Sequence, residues 1–159
     1  MKAPLILAAT ASLAAALFVS GAAAAGECPA AQMRPDARAS GETMPAKVTD
    51  TELAFVGLGD QIGGLDNRRL RLRRLVVQPG GVVPWHSHTD RPALIMTVSG
   101  QITEYASNCA VGIDHKAGEV AREVKGVSHW WKNNGKVPAV LIAADIKNDA
   151  DTTAAADHM

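Results

Sequence analysis

Apolar positions in this chain recur in short runs of strand length rather than in long stripes of helical period. Glu52–Val56 is one such run. Arg69–Val77 is another, and in its first half Leu70 and Leu72 oppose Arg69, Arg71 and Arg73. That alternation predicts a half-buried strand with the Arg68–Arg74 run on a solvated face. Ala93–Val98 is apolar and ends at Ser99-Gly100. Gln101–Tyr105 follows at hairpin distance, then Glu119–Val124, His129–Asn133 and Ala139–Ile146. Gly and Pro punctuate the series at Pro79-Gly80-Gly81, Gly112, Gly118, Gly126 and Pro138. Asn134-Gly135 between two apolar runs reads as a hairpin turn. Many short strands with regular turns predict an all-β fold, a sandwich or small barrel.

The two ends of the chain read differently. Met1-Lys2, the apolar run Leu5–Val19 and the small residues Ala23–Ala25 have the order of a cleaved signal peptide over 1–25. The run is short for a membrane span, so no membrane partner is expected after cleavage, and the mature protein is expected to be periplasmic or secreted. Residues 26–50 lack periodicity and read as an N-terminal arm, 51–147 as the folded domain, and 148–159 as a polar tail in which His158 is solvated. Sixteen basic residues balance sixteen acidic ones, which argues against nucleic acid as a partner. The two cysteines, Cys28 and Cys109, permit one disulfide in an exported chain; two free thiols are the alternative.

Three of the five histidines fall in two segments, Gly80–His88 and Gly126–Asn133. His86 and His88 share one face of an extended strand, and His129 can join them through the fold, giving three imidazoles suited to a metal. These segments resemble the two motifs of the cupin superfamily. Gly80, five residues, His86-Ser87-His88 and a closing Gly100 match the first. Gly118, Gly126, His129 and Asn133 match the second, with Val124 where proline is usual. The resemblance implies a cupin-type jelly-roll barrel holding one divalent transition metal (Fe, Zn, Cu, Ni or Mn) on His86, His88 and His129.

One departure stands out. Ala93 occupies the position of the first motif's glutamate ligand. Asp90, Glu104 and Glu119 are acidic but lie off the motif position. Three neutral ligands would leave the ion its full charge and favour anionic molecules. Ile95 and Thr97 should share the inward face with Ala93, and Trp131 the face of His129. Trp131 would then either line a pocket or simply pack in the core. Tyr105 is a candidate proton donor and Arg91 a candidate anion contact, though a solvated loop arginine is the favoured reading of Arg91. His115, beside Asp114, is expected on an exposed loop. Two functional classes follow. One is a metal-dependent, oxygenase-like enzyme acting on a small anionic molecule, as in the similar three-histidine thiol dioxygenases. The other is a non-catalytic module binding a metal or small ligand. Cupins often pair through strands, so the resemblance allows a homodimer.

Overall fold

The computed structural model of the chain describes residues 26–150. The leader read over 1–25, and His158 with the end of the tail, lie outside the described residues. Eight strands follow one 3-10 turn at Ala30–Gln32: β1 Ala46–Gly57, β2 Arg68–Ser87, β3 Ala93–Ser99, β4 Gln101–Ala106, β5 Ile113–Lys116, β6 Val120–Glu123, β7 Ser128–Lys132 and β8 Ala139–Asn148. They pair antiparallel in the order β5-β4-β7-β2-β8-β3-β6, with β1 on β2, as a nearly closed barrel. Strand β1 starts at Ala46, inside the segment read as an arm. Its Val48, Thr49 and Asp50 find ladder partners in Val77, Val76 and Leu75.

The twenty-residue β2 organises the barrel. Up to Val77 it pairs with β8, and from Val82 it pairs with β7. The switch falls at Pro79-Gly80-Gly81. Gly80 has φ +73°, and a Cβ on Gly81 would lie 2.8 Å from the carbonyl oxygens of both Gln78 and Lys47, so glycine is required there. Asn133 clamps this bend. Its side-chain amide donates to the Val77 and Val137 carbonyls at 2.8 Å each, and its own backbone bonds Gly80 and Gly81.

Because β2 lies between β7 and β8, Asn134-Gly135 does not close a hairpin. Gly100 likewise links β3 to β4 without pairing them. It has φ +76°, and it turns the chain from the β8 side of the barrel to the β7 side. Both turns were legible as turns; their partners were not, because strand pairing is set by the whole barrel.

The core packs Leu75, Val77, Val83, Ile95, Ile102, Ala121, Trp131, Ala139, Leu141 and Ala143. A satellite cluster of Ala106, Cys109 and Ile113 receives Cys28. Cys28 and Cys109 form a disulfide across 81 residues. With the Met33–Cys109 bridge and the Arg38 guanidinium on the Cys109 carbonyl, it straps the arm to the barrel.

The arginine run reverses the sequence expectation. Arg71 and Arg73 point inward and are 3% and 5% exposed, while Leu70 and Leu72 face outward. The reason is Asp145, buried on β8. Arg71 grips it with two hydrogen bonds, Nε to Oδ1 at 3.0 Å and Nη2 to Oδ2 at 2.8 Å, and Arg73 pairs with both Asp50 and Asp145. Buried guanidinium groups are tolerated because they are paired and hydrogen-bonded.

Candidate metal centre

His86 lies near the end of β2 and His129 on β7, and the two are register partners. His88 follows just beyond β2, its backbone N–H bonded to the Val127 carbonyl. A register shift between Val83 and His86 accommodates Pro84, which has no N–H to offer the ladder. The three rings meet with centroids 4.6–4.9 Å apart.

Each ring is anchored through Nδ1. His86 Nδ1 lies 2.8 Å from the Pro84 carbonyl oxygen, and His88 Nδ1 lies 2.7 Å from that of Arg91. His129 Nδ1 lies 2.7 Å from Glu104 Oε1. Carbonyls and carboxylates only accept, so each Nδ1 must carry the proton, and the Nε2 atoms turn toward one another. His86 Nε2 and His129 Nε2 are 3.2 Å apart.

Glu123, 3% exposed on β6, enters the same space. Its Oε2 lies 2.9 Å from His129 Nε2 and 3.4 Å from His88 Nε2. His115 on β5 is also buried, and its Nε2 lies 3.0 Å from Glu104 Oε2. The inward chain therefore runs His115, Glu104, His129, Glu123.

Burial holds His88 neutral, down to about 3, helped by the charge of His129. It also pushes His86 well below the ordinary value, with His129 and His88 adding to the effect. Burial opposes a charge on His129 too, but the carboxylates of Glu123 and Glu104 more than offset it and raise it to about 9. Burial acts against the Glu104 carboxylate, yet its bonds to His115 and His129 pull it down to about 2. Burial raises Glu123 above the usual carboxylate value.

This donor set fits a divalent transition metal. A proton on His129 can satisfy the His129–Glu123 pair, but it leaves His88 Nε2 and Glu123 Oε1 buried without hydrogen-bond partners. Such orphaned buried acceptors are costly. One cation among the imidazoles would serve them together. The spacings also suit one coordination sphere, in which neighbouring donors about 2.1 Å from an ion lie roughly 3 Å apart.

The other sequence candidates separate cleanly. Trp131 is buried with its ring 5.7 Å from that of His129 and 4.6 Å from that of His115. Ile95 and Thr97 are buried on the inward face of β3, as is Ala93. Tyr105 points away from the centre, because its neighbour Glu104 takes the inward position; it stacks on Trp130 and receives the Asn134 amide. Arg91 contributes its carbonyl to His88, and its side chain lies 3.8 Å from Asp145. Asp90 pairs with Arg68, and Glu119 caps the Lys116 N–H, so neither reaches the histidines. The expectation of an exposed His115 is overturned: β5 is only four residues long, and its inward positions are Ile113 and His115. Glu123 escaped the sequence reading altogether. Its alternation with Ala121 along Val120–Glu123 was a signal of an inward position, but not of what it faces.

Residues 73–145, which include all of these inward groups, match the cupin domain family. Nectarin-1 of Nicotiana plumbaginifolia is 31% identical over 88 residues, 54% of this chain and 38% of that protein. Germin-like protein subfamily 2 member 2 of Arabidopsis thaliana is 30% identical over 110 residues, 66% of this chain and 50% of that protein. The chain thus spans half or less of the length of these relatives. Among solved structures, a predicted oxalate decarboxylase from Thermotoga maritima superposes with a TM-score of 0.53 at 20% identity, covering 76% of this chain and 97% of that one. Recombinant oxalate oxidase in complex with glycolate gives 0.50 at 20% identity, covering 73% and 58%. The paired histidine motifs, the antiparallel barrel and these comparisons place the chain in the cupin superfamily.

Proposed function

We propose that this chain is an exported metal-binding cupin whose His86, His88 and His129 hold one divalent transition metal, and that it acts on a small anionic molecule. The observation that carries the reading is the Nδ1 anchoring of all three imidazoles, which directs their Nε2 atoms to one point. A redox-active metal would supply electron-transfer chemistry there, and zinc would supply polarised water. The chain's own residues do the rest. The Pro84 and Arg91 carbonyls and Glu104 fix the rings, and Trp131 and Ile95 keep the inner wall apolar. His86 is the least buried of the three, so a small molecule would approach from its side.

The anionic substrate class rests on the positive charge such a centre would carry. The oxalate-named structural neighbours make oxalate and glycolate the first compounds to try. Export is supported by the leader-like start of the sequence and by the Cys28–Cys109 bond, since disulfides persist in oxidising compartments. The test is metal-resolved. Protein loaded separately with Fe, Mn, Cu, Ni or Zn is assayed for oxygen uptake and for loss of each acid. Turnover with one redox-active metal, abolished by His88→Ala, is the expected result. A fully loaded protein that turns over none of them but binds an anion at the metal would establish the non-catalytic module instead.

A further inference from the structure

The buried acidic residues among those described are Glu104, Glu123 and Asp145. Two are saturated. Glu104 gives one oxygen to His129 and the other to His115. Asp145 gives both oxygens to Arg71, and Arg73 and Arg91 stand close to it as well. Glu123 differs. Its Oε1 is buried and has no hydrogen-bond partner, and its Oε2 sits between two histidine Nε2 atoms at 2.9 and 3.4 Å.

Its position in the sheet explains why it is there. β3 pairs with β6, and in that ladder Ala93 is the direct partner of Glu123. Antiparallel partners lie about 4.5–5.5 Å apart and project from the same face. A carboxylate moved one strand across from position 93 therefore still points at the same centre. Ala93, reduced to a methyl group and buried, leaves the volume that the Glu123 side chain uses.

We infer that Glu123 is the fourth ligand, delivering from β6 the carboxylate that position 93 lacks. This rests on the three-histidine metal reading and adds a residue that stands at a variable position of the second motif. The Nε2–Nε2 distance of 3.2 Å and the two Glu123 distances are all edge lengths of one coordination sphere. The charge expectation changes with it: three neutral imidazoles and one carboxylate leave a divalent ion a single net positive charge, not two. Anions are held, but less strongly than three neutral ligands alone would hold them.

The experiment is a Co(II) titration of the whole protein, read by visible absorption and, for affinity, by competition with a chromophoric chelator. It compares wild type, His88→Ala, Glu123→Gln and the double variant Ala93→Glu/Glu123→Ala. Wild type should bind one Co(II) per chain and His88→Ala should lose it. Glu123→Gln, which keeps the size of the side chain but not its charge, should weaken binding by at least about tenfold and change the spectrum. The double variant puts the carboxylate back across the ladder and should recover affinity to within about threefold of wild type. If wild type binds, His88→Ala does not, and Glu123→Gln matches wild type in affinity and spectrum, the ligand assignment falls while the three-histidine reading stands. A double variant no tighter than Glu123→Gln counts against the assignment as well. If wild type itself binds no Co(II), the underlying metal reading fails.

Discussion

A histidine pair two residues apart was legible as a metal motif, but what makes these imidazoles fit for the role is their acceptors. Two of those acceptors, the Pro84 and Arg91 carbonyls, are backbone groups that no side-chain pattern reveals. The third, Glu104, could be named from the sequence only as an acidic residue off the motif. In the fold it fixes His129 rather than replacing the lost glutamate. Glu104→Gln tests this role. A glutamine can accept from only one of His129 and His115 through its oxygen and must present its amide to the other. We expect a folded protein whose metal affinity falls by about 10- to 100-fold, measured by chelator competition. Unchanged affinity would show that His129 is oriented by something else. His115→Ala should weaken binding less, since it touches Glu104 and not the ring that would meet the metal.

Among the elements, β2 carries most of what the sequence misassigned. Alternation alone gives two faces but not which face is inside, and apolarity by itself points to the leucines. Asp145 on the facing rung of β8 decides it, because a buried carboxylate must bring guanidinium partners in with it. Burial works against the Asp145 charge, but Arg71, Arg73 and Arg91 together hold it below the ordinary value. A depressed folded value contributes stability that is complete above the unfolded value, about 3.9, and is lost as pH falls through the folded one. Urea unfolding of the wild type should therefore show stability dropping below about pH 4. Asp145→Asn should cost about 3–5 kcal/mol at pH 7 and make that acid limb shallower, with Glu104, itself held down to about 2, keeping the remainder. An acid limb unchanged in Asp145→Asn would place the titrating group elsewhere. Asn133 acts at the middle of the same strand. Asn133→Ala removes two buried hydrogen bonds from the β2 bend and should cost about 2 kcal/mol in the same assay.

For the molecule as a whole, the spacing of glycines and short apolar runs was enough for an all-β fold, because most of the Gly and Pro signals lie between strands; Pro79-Gly80-Gly81 instead bends a single strand, β2, where it changes partners. The pairing order was not readable. Strands adjacent in sequence, such as β3 and β4 or β7 and β8, lie in different parts of the sheet path. That is also why Glu123 was missed, since its relation to position 93 exists only through the β3–β6 ladder. The arm is joined to this barrel by Cys28–Cys109. Removing the bond in Cys28→Ser/Cys109→Ser should lower stability by up to about 4–5 kcal/mol on the chain-entropy view, while leaving the histidine centre able to bind metal. Loss of both together would tie the arm to the centre itself.

The proposed function stands on three histidines from two separate motifs forming one metal centre. Elemental analysis of the purified protein, dialysed against a weak chelator, tests this most directly. About one transition-metal ion per chain is expected in the wild type and almost none in His86→Ala, His88→Ala or His129→Ala, with each variant still folded by circular dichroism. A metal-free wild type that cannot be reloaded, or full retention of the ion in the His86→Ala/His88→Ala double variant, would contradict it.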